Sequence, residues 1–199
     1  MRIILASQSP RRKKLLKQLG LRFEVIPSSI EEHSLETDPV KIVEDLATQK
    51  ARNVGKSCSN SFIIGSDTIV VFKDKILGKP NNHDEASKML NKLSGEQHTV
   101  YTGVSLLVTD DQSSVTKSIE FSVATKVYFS TLEQAEIDAY IKTGSPMDKA
   151  GSYGIQDDWG ATFVEKIDGD FYNVVGLPIN KLYSELKNHF PEIVKNIAH

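Results

Sequence analysis

Arg11, Arg12, Lys13 and Lys14 form an unbroken cationic run inside LASQSPRRKKLLKQLG, residues 5 to 20, where the chain also signals the start of a helix. Ser9 is a good N-cap, Pro10 suits the first helical position, Leu15, Leu16 and Leu19 mark an apolar face, and Gly20 is a stop. The cations therefore stand beside unpaired backbone N–H groups at the positive end of the helix dipole, where an acid would ordinarily be favoured by about 0.3–1 kcal/mol. A bound anion reverses the mismatch, because N–H groups, serine hydroxyls and guanidinium forks then converge on it. The alternative is that the side chains fan into solvent, where salt screens the cost.

Further charges sit where a plain structural pattern wants something apolar. Asp67 interrupts the hydrophobic run SFIIGSDTIVVF. A buried, unpaired carboxylate there costs several kcal/mol unless it pairs, binds a metal or is protonated; otherwise it caps a bulge at Gly65. Lys50 falls in an apolar helix stripe, either as a ligand for an anion or snorkelling over apolar surface. Lys79 follows Gly78 and is kept extended by Pro80, as a phosphate ligand or a solvated loop lysine. Glu31 and Glu32 are a loop acid pair, solvated or metal-binding. MDKAGSYGIQ places Asp148, Lys149 and Gln156 around Gly151 and Gly154, which permit close approach to a ligand. Taken together these are cations for phosphates, acids for a hard divalent ion and an aspartate able to act as base. Hydrolysis of a phosphoanhydride needs that set.

The elements that must position them alternate between helix and strand, an α/β pattern without repeats or linkers. RIILA and FEVIP read as strands around the first helix, and a helix runs from Pro39 to about Val54 with Val40, Val43, Ala47, Ala51 and Val54 on its apolar face. SFIIGSDTIVVF and KDKIL are strands, and DEASKMLNKL is a helix ended by Ser94 and Gly95. QHTVYTGVSLLVT and VTKSIEFSVATKVYF face each other as an antiparallel pair. Thr131 to Lys142 is helical, ATFVEKIDG a strand, and PINKLYSELKNHF a closing helix. With 199 residues the chain suffices for one substantial domain, 1–199. A formal net charge of −2 gives no general attraction to nucleic acid or anionic membrane, so any basic site is local. No secretory or membrane-spanning stretch is seen, which leads to the expectation of a cytoplasmic protein. Cys58, the sole cysteine, lies in a polar stretch and reads as incidental; the histidines lack zinc-ligand spacing. Neither a GxxxxGK[ST] loop, a GxGxxG nor a GxSxG elbow is present.

LASQSPRRKKLL, GSDTIVV, LGKP, LSGEQHTVYTGV, DKAGSYGIQ and VVGLP, in this order over residues 5 to 178, resemble the Maf family of nucleoside triphosphate pyrophosphatases. The resemblance implies a two-lobed α/β fold with an elongated mixed β-sheet flanked by helices, similar to the inosine triphosphate pyrophosphatases, with an active-site cleft between the lobes. It also implies hydrolysis of a nucleoside triphosphate between the α and β phosphates with Mg²⁺ or Mn²⁺, and a homodimer. Carried onto this sequence, it puts Ser7, Ser9, Arg11 and Arg12 at the triphosphate and makes Asp67 the proton acceptor for the attacking water. Lys50 and Lys79 become phosphate ligands, and Glu31, with Glu32 as the alternative, joins Asp67 at the metal.

Thr68 and Gln156 resemble the subgroup that acts on dTTP and UTP, and a glutamine amide offers both a donor and an acceptor to the edge of uracil or thymine. Ser66 and Ser152 replace the commoner alanines, and DDWG after Gln156 adds two acids and Trp159, a stacking surface or a plain loop aromatic. Nucleotide-pool sanitation is the first expectation for the cellular role. The alternative is a nucleotide-sensing regulator of septum formation without significant turnover. A nucleic-acid binder is disfavoured by the charge balance and the lack of a basic, aromatic stripe.

Overall fold

In the computed structural model, residues 1–156, 159–195 and 197 are described. The chain divides into two compact units interleaved in the sequence. The first takes Met1–Asp67, Thr102–Val123 and the chain from Gly176 onward, and the second takes Thr68–Tyr101 and Ala124–Val175. The strands are β1 (Arg2–Leu5), β2 (Glu24–Val25), β3 (Ser61–Phe72), β4 (Lys75–Leu77), β5 (Gln97–Thr109), β6 (Val115–Phe129) and β7 (Val164–Asp168), and the helices are α1 (Pro10–Gln18), α2 (Pro39–Gly55), α3 (His83–Leu93), α4 (Gln134–Lys142), α5 (Phe171–Val175), α6 (Ile179–His189) and α7 (Pro191–Val194). The strand order is β2-β1-β3-β5-β6-β7, with β4 paired to β3. Among the described residues, no helix is long and apolar enough to cross a membrane.

In the first unit β1 runs parallel to both β2 and β3, with Ile4 opposite Glu24 on one side and Ile63 on the other. Parallel neighbours need crossover connections, and α1 and α2 supply them. α1 starts as its sequence dictates: the Ser9 side chain accepts from Arg12 N–H, Pro10 fills the first turn, and Gly20 leaves the helix at φ 81°. α2 is capped by Asp38, which accepts from the N–H groups of Val40 and Lys41. One core cluster gathers Ile4, Ala6, Ala51, Val54, Ile63, Leu107 and Cys58.

α2 lies close on its sheet because two strand positions have no side chain. A Cβ on Gly65 would stand 2.2 Å from the Ala47 carbonyl oxygen and 2.9 Å from Ala51 Cβ, and one on Gly103 would stand 2.2 Å from the Val43 carbonyl oxygen. Gly65 therefore marks close helix packing. The β1/β3 register runs without a shift from Arg2↔Ser61 through Leu5↔Ile64 and ends one residue before Gly65.

In the second unit β3 turns into β4 through Lys73 and Asp74, both at positive φ, as the right-handed twist of a two-residue hairpin demands. Its core joins Val70, Phe72, Leu77, Leu90, Leu93, Phe129, Ile137, Tyr140, Tyr153 and Phe163. His98 is buried there with its Nε2 2.7 Å from the Tyr153 hydroxyl, and burial lowers its pKa to about 4, so the ring is neutral at ordinary pH.

Four sequence expectations change. The strand expected over ATFVEKIDG starts only at Val164, because Trp159–Phe163 coils into a 3₁₀ turn that buries Phe163. α4 begins at Gln134 rather than Thr131, where Glu133 and Glu136 form a capping box. Val40 is exposed, since it sits in the first turn before α2 reaches the sheet. Cys58 is a buried apolar core residue despite its polar neighbours, fixed by the hydrogen bond from Thr109 Oγ1 to its carbonyl.

Gly65→Ala is expected to destabilise the protein by about 2–3 kcal/mol through overpacking against backbone, while Gly78→Ala, where an added Cβ meets nothing within 4 Å, stays within about 0.5 kcal/mol. Urea denaturation midpoints of the two variants check this.

Candidate active site

β1 ends at Leu5 and the chain turns through Ala6, Ser7 and Gln8 into α1. Ala6 N–H donates to the Ile64 carbonyl at 2.9 Å, which pins the turn to β3. The buried Ser7 hydroxyl accepts from Ser9 N–H and from Arg12 Nη1, each at 3.2 Å. Arg12 Nε donates to the Gly176 carbonyl at 2.9 Å, and the Ser66 hydroxyl donates to the same oxygen at 3.3 Å. One backbone carbonyl in VVGLP thus ties α1 to β3 and sets the guanidinium plane. Burial lowers the pKa of Arg12 from its ordinary value; Asp67 works against that shift, Arg11 with it and Glu32 against it. These four charged groups share one electrostatic neighbourhood.

Two residues beyond Gly65, β3 carries Asp67, and α2 brings Lys50 to it. Lys50 Nζ lies 2.5 Å from Asp67 Oδ1 and 2.9 Å from Glu32 Oε2. Lys50 and Asp67 are each only 8% exposed, whereas the Glu32 side chain is half open to solvent. A buried ion pair of this kind carries a large desolvation cost, and removing one partner leaves the other charge uncompensated. The site holds Arg11, Arg12 and Lys50 against Asp67 and Glu32, an excess of positive charge at a helix N-terminus, as an anionic ligand requires.

Thr68, Lys79 and Gln156 belong to the second unit. Thr68 follows Asp67 on β3, half-buried, and Lys79 is exposed in the loop after β4. That loop is tied by Gly151 N–H to the Gly78 carbonyl at 3.1 Å, with Gly151 at φ 70° as the turn requires. Gly154 N–H donates to the Tyr140 hydroxyl at 3.2 Å. Gln156 comes two residues later, half-buried, and its Oε1 is buried without a hydrogen-bond partner among the described residues. Such an acceptor costs about 1–3 kcal/mol unless something donates to it. Lys149 instead satisfies itself on Ser145 and Asp148. Trp159 is exposed and leans on Phe163, and Asp157 and Asp158 lie outside the described residues.

Ser7, Ser9, Arg12, Lys50 and Asp67 are thus brought together in the first unit, with Arg11 acting on Arg12 through its charge. The acid on Lys50 is Glu32, the alternative; Glu31 stands exposed one residue before it. Sequence reasoning gave no role to Gly176 and noted Ser66 only as a departure. The signal for both was a serine in a buried strand, which must find an acceptor.

The family described as Maf-like protein matches residues 2–189. The chain belongs to the Maf family. Among its relatives, the dTTP/UTP pyrophosphatase of Thermoanaerobacter sp. (strain X514) is 52% identical over 96% of this chain and 97% of its own length. Those of Lachnoclostridium phytofermentans and Bacillus cereus, which carry the same name, are 47% and 50% identical over 98% and 94% of this chain, and are covered over 98% and 94% of their own lengths. A weak structural likeness links the chain to the Ham1 protein of Staphylococcus aureus, at TM-score 0.47 and 17% identity over 65% of this chain and 72% of that one.

The donor set of this Maf-family chain fits a divalent ion only with help from a ligand. Glu32 and Asp67 already share one cationic group between their carboxylates, and Mg²⁺ is commonly held by one or two carboxylates plus substrate phosphates and water. Among the described residues, no group of three or more His, Cys, Asp or Glu side chains could hold a metal alone.

Lys50→Met is expected to cost about 3–5 kcal/mol by stranding Asp67, and adding Asp67→Asn is expected to restore most of it. A double-mutant cycle read by thermal or urea unfolding checks the coupling.

Proposed function

We propose that this chain hydrolyses dTTP and UTP, and modified pyrimidine nucleotides with the same edge, to the monophosphate and pyrophosphate. The observation that carries the reading is the buried Lys50–Asp67 pair, with Glu32 on its open side and Arg12 beside it, in a chain half identical to relatives named dTTP/UTP pyrophosphatase. A carboxylate sheltered from bulk water can act as a general base: it takes a proton from water as the water attacks the α-phosphorus.

Each predicted residue then has a task. Arg11, Arg12, Ser7 and Ser9, with the N–H groups of α1, hold the triphosphate, and the Ser7 and Gly176 contacts keep the Arg12 fork oriented. Lys50 and Lys79 offset charge on phosphate oxygens and on the departing pyrophosphate. Glu32 and Asp67 would hold a Mg²⁺ or Mn²⁺ ion, which when bound supplies charge neutralisation at the phosphates. Thr68 and Gln156 are assigned to the base, and the Gln156 Oε1, which has no hydrogen-bond partner among the described residues, supports that assignment, because the N3–H of uracil or thymine would satisfy it. Sanitation of the nucleotide pool is the role this chemistry would serve.

Incubating the purified protein with Mg²⁺ and a panel of ribo- and deoxynucleoside triphosphates, with pyrophosphate and orthophosphate measured separately, tests the reading. Pyrophosphate from dTTP and UTP is the expected result; orthophosphate alone, or no product from any nucleotide, overturns it. Gln156→Glu is expected to lower kcat/KM for UTP by about 100-fold, since it replaces the amide by a charged, acceptor-only group, and an unchanged ratio of UTP to purine hydrolysis would remove Gln156 from the base site.

A further inference from the structure

Asp45, Gln49 and Asn53 recur every fourth residue along α2 and so form one helix face. All three are half-buried polar side chains, and what covers them is the acidic loop between β2 and α2. Asn53 Oδ1 accepts from the Ser28 hydroxyl at 3.1 Å and from Ser29 N–H at 3.2 Å. Gln49 Nε2 donates to the His33 carbonyl at 2.8 Å and to Asp45 Oδ2 at 2.9 Å, and the Ser34 hydroxyl donates to that same Asp45 oxygen at 2.6 Å. The loop is therefore fastened to α2 on both sides of Glu32: at Ser28 and Ser29 before it, at His33 and Ser34 after it. Glu32 itself reaches Lys50, on the same helix.

From this we infer that Asn53, Gln49 and Asp45 are positioning residues for the divalent ion, holding the loop so that Glu32 is presented beside Asp67; the inference rests on the reading of Glu32 and Asp67 as metal ligands. A carboxylate on a free loop of this length must be ordered each time an ion binds, and fixing a side chain in advance lowers that cost. The hydrogen bonds of the three run to the loop and, between Gln49 and Asp45, to each other, so their effect on the ion passes through the loop. The bonds also differ in sense. Asn53 acts as an acceptor in both of its bonds, which an aspartate can reproduce, whereas Gln49 acts as a donor, which a methionine cannot.

Electron paramagnetic resonance titration of Mn²⁺ into the protein, with the non-hydrolysable analogue α,β-imido-UTP present, reads the effect directly. The Mn²⁺ dependence of UTP hydrolysis and the unfolding temperature are measured alongside. Asn53→Leu and Gln49→Met are expected to weaken Mn²⁺ binding by about 10–100-fold, the range of outer-shell substitutions. Asn53→Asp should bind as the parent protein does, and kcat at saturating Mn²⁺ should change little in all three. Parent-like Mn²⁺ affinity in both Asn53→Leu and Gln49→Met overturns the inference, as does an Asn53→Asp protein as weak as Asn53→Leu. Glu32→Gln separates the two levels: if it binds Mn²⁺ as the parent does, the ligand assignment beneath the inference is wrong. Gln49→Met breaks bonds other than those of Asn53 and gives an independent result if Asn53→Leu does not fold.

Discussion

The backbone of α2 rests on two strand positions that have no side chain, and the site in the first unit depends on that contact. With Gly65 under Ala47 and Ala51, and Gly103 under Val43, the helix approaches β3 closely enough for a lysine in its buried stripe to meet an aspartate two residues beyond Gly65. A lysine stem lies along apolar surface at little cost, and its ammonium needs an anion where that surface ends. Asp67 is that anion. The opposite face of the requirement is equally strict, since a carboxylate in a hydrophobic strand is tolerated only with a partner.

A second constraint acts at the start of α1. Four basic residues at the positive end of a helix dipole oppose the local field, and the structure handles Arg12 by giving its Nε and Nη1 to the Gly176 carbonyl and Ser7. That arrangement commits the Arg12 fork to one orientation, and under the proposed function such preorganisation lowers the cost of binding the triphosphate. Glu32 completes the pattern from a loop that α2 itself holds down. The same helix therefore supplies Lys50, sets its distance to Asp67 and anchors the loop that carries Glu32.

Much of this was legible in the sequence, for identifiable reasons. Ser9, Pro10 and Gly20 bracket α1 because caps and stops are local signals, and Asp67 stands out because one charge in a long apolar run has few innocent explanations. The face of Asp45, Gln49 and Asn53 was not legible, because polar residues on one side of an amphipathic helix look like an ordinary solvated face until the loop that covers them is known. The choice between Glu31 and Glu32 escapes for a related reason: adjacent residues in an irregular loop carry no periodicity to say which one turns inward. Ala161, Thr162 and Phe163 read as the start of a strand, since β-branched and aromatic residues suit a strand as well as a buried turn, and burial of Phe163 within the 3₁₀ turn decides between them. Cys58 misleads through its neighbours, for a polar stretch can still send one side chain into the core.

The claim that Asp67 is the base, rather than only a structural partner of Lys50, is tested most directly by Asp67→Asn, which keeps the shape and removes the proton acceptor. Turnover of UTP and calorimetric affinity for α,β-imido-UTP are measured on the same folded preparation. The account predicts a fall in kcat of about 10³-fold or more, within the range of lost general-base catalysis, with nucleotide affinity changed only a few-fold. A variant that turns over UTP within about tenfold of the parent protein, below the span of general-base catalysis, would contradict it.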